Sequence, residues 1–138
     1  VGRVSAQAQS LIDATRDSFY AAALYAVEGG RIGDVGFAVE DYVSRLGYTV
    51  VRKYVGHGIG QNLHELPDVP NYGVKGRGVR LYKGMTLAIE PMVNAGTHEV
   101  RVLSDGWTVV TADGSLSAHY EHTVAITEDG PELFTDVG

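Results

Sequence analysis

Four side chains with chemical capacity occupy positions where an apolar or turn residue is more usual. His57 lies between two glycines, and His64 follows it seven residues later. Glu90 closes an apolar run and is followed by proline, and Glu121 stands beside a second apolar stretch. Imidazole and carboxylate groups together suit Mn, Fe, Co or Zn, and the lack of thiolates argues against a structural zinc site. The pattern therefore predicts a divalent metal site with His57, Glu90 and Glu121 as ligands.

Each of these side chains also has an ordinary structural interpretation. Glutamate is seldom fully buried, so position alone favours an exposed Glu90 at a strand end and an outward-facing Glu121 on an edge strand. The glycines beside His57 permit the close approach of a ligand or of another backbone. His57 could equally form a local hydrogen bond in a turn, and His64 could be a surface loop residue.

Other catalytic motifs fail on their spacing. Glycines at positions 56, 58 and 60 do not have the spacing of the dinucleotide-binding fingerprint. His64 and Glu65 lack the second histidine of the metalloprotease helix, because position 68 is Asp. Pro67 would also break such a helix. Ser115 and Ser117 are not flanked by the glycines of a nucleophile elbow.

The composition is that of a soluble globular domain. The 138 residues are 44% hydrophobic and 20% charged, with a net charge of -6 and no cysteine. This length suits one domain spanning residues 1–138. An acidic chain is a poor candidate for binding nucleic acid, and no apolar run reaches the roughly 18 residues of a membrane helix. The absence of cysteine excludes disulfides and cysteine nucleophiles and is consistent with the cytoplasm.

The order of the predicted elements indicates the fold class. Apolar residues recur at helical spacing over residues 5–28 and 32–46, and glycines follow both segments. From residue 48 onward the chain is rich in β-branched and aromatic residues, with a glycine- and proline-containing loop region at 56–78. Further strands are predicted at 85–90, 100–103, 107–111, 120–127 and 132–134, besides 48–55. This order predicts an α+β domain with two helices packed on a mainly antiparallel sheet.

Four collinear segments closely resemble the type I methionine aminopeptidases of the pita-bread metallopeptidase family. They are GHGIG at 56–60 with HELP at 64–67, GMT at 84–86 with IEPMVNAG at 89–96, DGWTV at 105–109, and SLSA at 115–118 with YEHT at 120–123. The helical region fits the family in length and order. The resemblance implies that residues 1–138 form half of a pita-bread fold, the C-terminal half of the catalytic domain.

The resemblance also implies a role for each candidate residue. His57, Glu90 and Glu121 match ligands of a two-metal site, with Glu121 bridging both ions, and the ions are expected to be Co, Mn, Fe or Zn. His64 matches the histidine that contacts the scissile peptide and helps to stabilise the transition state. Glu90 also matches the proposed general base, and Trp107 matches a wall of the methionine pocket. The implied activity is removal of the N-terminal methionine from newly made proteins.

Two departures and one absence qualify this implied site. Leu63 stands where the family often has an aromatic pocket residue, and His119 stands where glutamine is usual. Two further aspartate ligands and another substrate-contacting histidine come, in the family, from a preceding half, and Val1 aligns just after the second aspartate.

We therefore expect little activity from residues 1–138 alone, weak binding of at most one metal ion, and association with a companion half or a second copy. A non-catalytic binding module and half of a proline-specific peptidase are the alternatives.

Overall fold

The computed structural model describes residues 2–137, and Val1 and Gly138 lie outside the described residues. The predicted α+β class is confirmed, with two helices followed by antiparallel strands in the described part of the chain. Helix α1 spans Ala6–Ala23 and helix α2 spans Ile32–Arg45. The strands are β1 Thr49–Val50, β2 Gly56–Gly58, β3 Glu65–Val69, β4 Thr86–Ile89, β5 Met92–Asn94, β6 Val100–Val102, β7 Val109–Thr111, β8 Ser117–His119, β9 His122–Thr127 and β10 Gly130–Leu133.

Helix α1 begins as predicted and ends earlier than predicted. The Ser5 hydroxyl accepts a hydrogen bond from the Ala8 amide at 3.1 Å, which caps the first turn. The predicted continuation to Glu28 is wrong, because the Tyr25 amide bonds the carbonyl three residues back, as in a tightened final turn. The chain then turns towards the strands, where the Gly29 amide donates to the carbonyl of Leu81 at 2.9 Å.

Helix α2 matches its predicted range to within one residue. The side chain of Arg31, which precedes the helix, does not cap it. The Asp34 carboxylate stabilises the first turn instead, by accepting a hydrogen bond from the Arg31 amide at 3.0 Å. A Cβ at Gly36 would lie only 2.3 Å from the carbonyl oxygen of Tyr72, so α2 lies directly against the loop after β3. Gly47, with a φ of +83°, then redirects the chain into β1.

The strands form three sheets, and every strand pair that the structure describes is antiparallel. The strand orders are β10-β9-β4-β2-β3, β1-β5-β8 and β6-β7. The predicted strand at 48–55 is wrong in extent, because β1 holds two residues and a bend at 52–54 separates it from β2. The predicted loop at 56–78 contains β2 and β3, while β5 and β8 were not predicted. These strands of two to five residues are too short to show an alternating pattern.

The hydrophobic core lies between the helices and the sheets and anchors the strands that carry the candidate ligands. Leu87, Ala88 and Ile89 of β4 are fully buried immediately before Glu90, and Val93 is fully buried after it. Phe19 and Leu11 of α1 and Val39 and Val43 of α2 belong to the same apolar cluster. Neither helix described here is long and apolar enough to cross a membrane.

Candidate metal centre

The central strand of the five-stranded sheet brings the predicted ligands together. Strand β2 flanks β4 on one side, with His57 opposite Ala88, and β9 flanks it on the other, with His122 opposite Ile89. Neighbouring strands lie about 4.8 Å apart, so side chains at one end of three adjacent strands can meet. His57, Glu90 and Glu121 all lie at or beside this end.

His57 presents one ring nitrogen to Glu90 and anchors the other. Its Nδ1 lies 2.9 Å from the Gly58 carbonyl oxygen, which an Nδ1–H would reach as donor. That tautomer leaves the lone pair of Nε2 free, and this atom lies 3.6 Å from Oε1 of Glu90. A histidine bound to metal through one nitrogen and to a carbonyl through the other is a frequent arrangement. The ring of His64 packs against that of His57, with centroids 4.1 Å apart.

Glu90 is mostly buried, so the expectation of an exposed strand-end glutamate is wrong. Its side chain is 13% exposed at the end of β4. The Asn71 side-chain amide donates to the backbone carbonyl of Glu90 at 3.0 Å, and Asn71 is itself 1% exposed. A carboxylate removed from water needs compensating partners or a cation. Here Nε2 of His119 lies 3.3 Å from Oε2, and Oε1 faces the free Nε2 lone pair of His57 at 3.6 Å, an arrangement that a shared cation would stabilise.

His119 is the residue at this site that sequence reasoning did not assign. It ends β8, which pairs with β5 and places His119 opposite Met92. The hydrogen bond to Glu90 raises the pKa of His119, the negative charges of Glu90 and Glu121 add to the effect, and partial burial opposes it. The signals in the sequence were its departure from the family's glutamine and its position two residues before Glu121.

Glu121 lies on the open side of this cluster, between β8 and β9. It is exposed, and its carboxylate lies with Glu90 and His119 in a group whose donor atoms are all within 4.8 Å of one another. Strand β9 lies between β10 and β4, so the expectation of an edge strand is wrong. The adjacent Tyr120 and His122 bond to each other at 2.9 Å through the hydroxyl and Nε2.

The donor set fits a divalent metal ion. One donor atom each of Glu90, Glu121 and His119 lies within 4.8 Å of the other two, and Nε2 of His57 lies 3.6 Å from Glu90. The site has no thiolate to favour a structural zinc. His57, Glu90 and Glu121 are the predicted residues that would hold such an ion, and His119 lies beside them.

A cleft opens beside the cluster, with a polar floor and an apolar wall. His57, His64, Glu90 and His119 line its polar side. The apolar lining comes from the chain before β2, from β5 and from the β6–β7 hairpin: Val51, Val55, Met92, Leu103 and Val109.

Trp107 and Leu63 lie away from this lining in the described part of the chain. Trp107 is at the tip of the β6–β7 hairpin and is 87% exposed. Its amide donates to the Asp105 carboxylate at 2.9 Å, so the tip itself is ordered by a local turn. Leu63 is exposed between His57 and β3. The structure therefore brings together His57, His64, Glu90 and Glu121, and does not bring Trp107 to them.

Comparison with known proteins identifies the family. The model of metallopeptidase family M24 matches residues 1–128. The chain belongs to this family. It is 54% identical over 135 residues to a methionine aminopeptidase of Clostridium acetobutylicum, covering 98% of this chain and 54% of that protein. The crystal structure of methionine aminopeptidase from Thermotoga maritima superimposes with a TM-score of 0.95 at 49% identity, covering 99% of this chain and 55% of that one.

These similarities confirm the resemblance to methionine aminopeptidases and the pita-bread fold. The chain spans about half the length of the curated relatives it matches. A prolidase from Pyrococcus furiosus is similar at a TM-score of 0.73 and 21% identity, over 100% of this chain and 35% of that one. That likeness shows the fold alone.

Proposed function

We propose that this chain forms the C-terminal half of a methionine aminopeptidase, which removes the N-terminal methionine from newly made proteins in the cytoplasm. The observation that carries the proposal is the convergence of His57, Glu90 and Glu121 beside a cleft, in a chain similar to proteins of that name. In the complete enzyme, two divalent ions drawn from Co, Mn, Fe or Zn would activate water and polarise the scissile carbonyl.

The chain's own residues would contribute binding, orientation and proton transfer. Glu90 faces the cleft from a mostly buried position, which suits a carboxylate that takes a proton from the attacking water. His64 lines the same cleft beside His57, where its ring nitrogen can donate to the oxygen of the scissile peptide as negative charge develops there.

The apolar wall of the cleft supports a peptide substrate whose N-terminal residue has an apolar side chain. Methionine is unbranched and flexible, so it packs readily against irregular surfaces such as Val51, Met92 and Leu103. Trp107 is proposed to join this pocket as well. Because Trp107 is exposed at a hairpin tip, that role needs the opposite wall of the pocket to come from another half or another chain.

By the family pattern these residues hold three of five metal ligands, and we propose that they are inactive alone. A companion half would supply the two aspartates, whereas a homodimer would supply only more glutamates. The cleft and the coverage of about half of each relative support a contribution to the site from a further half of the fold. A non-catalytic module of the same fold is the competing function, and it predicts no activity in any combination.

The test is hydrolysis of a methionyl peptide with added Co²⁺ or Mn²⁺. The chain is assayed alone and after coexpression with the N-terminal half of the Clostridium acetobutylicum relative. We expect activity only in the combination, with loss of that activity on Glu90→Ala. Turnover by the chain alone that Glu90→Ala abolishes would contradict the proposed incompleteness, and an inactive but stable combination would contradict the proposed enzyme.

A further inference from the structure

We infer that His119 supplies a second imidazole ligand to the metal centre, so that His57 and His119 bind on opposite sides of Glu90. This inference rests on the proposed metal site and adds a residue to it. By the resemblance to methionine aminopeptidases, glutamine is usual at this position, so the imidazole is a feature of this chain's own sequence.

Two backbone contacts hold His119 next to Glu90. His119 pairs with Met92, and the amide of the following residue, Tyr120, donates to the carbonyl of Pro91 at 3.1 Å. Residues 91 and 92 directly follow Glu90, so β8 is fixed against the chain on which Glu90 lies. The imidazole therefore starts within reach of the site through strand pairing and needs no rearrangement of the fold.

The distances suit ligation of one ion by these side chains. Nε2 of His119 lies 3.3 Å from Oε2 of Glu90, and one donor atom from each of His119, Glu90 and Glu121 lies within 4.8 Å of the other two. Metal–nitrogen and metal–oxygen bonds of about 2.0–2.2 Å separate neighbouring donors by roughly 3 Å. The His119 side chain is 47% exposed, so it has room to make the small rotation that closes this difference.

A second imidazole would change which metal the site prefers. Imidazole suits Zn, Fe and Cu, whereas an all-oxygen neighbourhood suits Mn and Mg. Replacing His119 by the family's glutamine should therefore weaken Zn²⁺ and Co²⁺ binding more than Mn²⁺ binding. Glutamine retains an N–H donor that can reach Glu90, so this substitution separates metal ligation from hydrogen bonding to the carboxylate.

The test counts the imidazoles bound to Cu²⁺ by electron spin-echo envelope modulation on the 138-residue chain. Four proteins are compared: the wild type, His119→Gln, His57→Gln and the control His98→Gln, whose histidine is exposed in a bend between β5 and β6. We expect two bound imidazoles in the wild type and the control, and one in each of the other variants. Calorimetry should show Co²⁺ binding about 10- to 100-fold weaker in His119→Gln. Far-UV circular dichroism checks that each variant is folded.

The outcomes distinguish this inference from the metal site on which it rests. One bound imidazole in the wild type, lost in His57→Gln and kept in His119→Gln, would overturn the role of His119 and leave the metal site standing. Copper signals unaffected by both substitutions would overturn the proposed metal site itself.

Discussion

Replacing Gly56 by alanine tests whether close strand packing sets the position of His57. A Cβ at Gly56 would lie 2.2 Å from the carbonyl oxygen of Ala88 and 3.2 Å from the Cβ of Val69. Ordinary contact begins at 3.4 Å, so β2 and β4 must separate by about 1.2 Å, the difference between 3.4 and 2.2 Å. The obstacle is backbone and cannot rotate away. Overpacking of this kind costs about 1–3 kcal/mol of unfolding free energy.

The same displacement should weaken metal binding, because His57 is the next residue. Its Nε2 lies 3.6 Å from Oε1 of Glu90, and metal–ligand distances tolerate only about 0.2 Å of error. We expect Gly56→Ala to lower Co²⁺ affinity about 10- to 100-fold. Urea unfolding measures the stability change, and calorimetry measures the affinity.

Gly84→Ala is the matched control. A Cβ at Gly84 would meet nothing within 4 Å, but its φ of +89° strains any other residue by about 1–2 kcal/mol. The control should therefore lose similar stability and keep its metal affinity. A folded Gly56→Ala protein that binds Co²⁺ as tightly as the wild type would refute the argument that strand spacing positions His57.

Two further predictions concern residues that order the chain around the site. Asn71→Ala removes the donor to the Glu90 carbonyl and should lower the free energy of unfolding, measured in urea, by about 1–3 kcal/mol. It should also weaken Co²⁺ binding measured by calorimetry. Unchanged affinity would show that Asn71 does not position Glu90. The Thr108 hydroxyl and the Trp107 and Thr108 amides hold the pKa of Asp105 below its usual value of 3.8. The ionised Asp105 carboxylate therefore stabilises the hairpin tip fully above pH 3.8, and this stabilisation is lost as the pH falls through the lower pKa of the folded state. Trp107 fluorescence should change over this acid range, and Asp105→Asn should abolish the change; an identical titration in the variant would exclude Asp105.

The candidate ligands were predictable from sequence because their neighbours are unusual. Glycines beside His57 indicated a close approach, and the structure identifies the approaching groups as the Ala88 and Leu66 carbonyls. Proline after Glu90 indicated the end of a strand, and β4 does end there. The burial of Glu90 was not predictable, because it depends on Asn71 and on two histidines that are distant in sequence.

The position of His119 beside Glu90 could not be predicted from the sequence. Its position beside Glu90 results from the pairing of β5 with β8, two strands of three residues each that are separated by the β6–β7 hairpin. Such short strands carry no alternation of their own, and their register is fixed by partners elsewhere in the sheet. The early end of α1 has a similar origin, since contacts of Gly29 and Gly30 with Leu81 override the helical propensity of the preceding residues.

The fold separates the groups that would bind metal from the groups that would select a substrate. Glu90, His57 and Glu121 lie at or beside strands of one sheet whose neighbouring residues Leu87, Ile89 and Val124 are fully buried. Much of the apolar wall lies on the β6–β7 hairpin, which forms a sheet of its own and ends in a turn ordered by Asp105. Substitutions in a core strand must propagate through tight packing, whereas substitutions on an exposed hairpin are absorbed locally. The hairpin is therefore where substrate preference can change while the metal ligands stay in place.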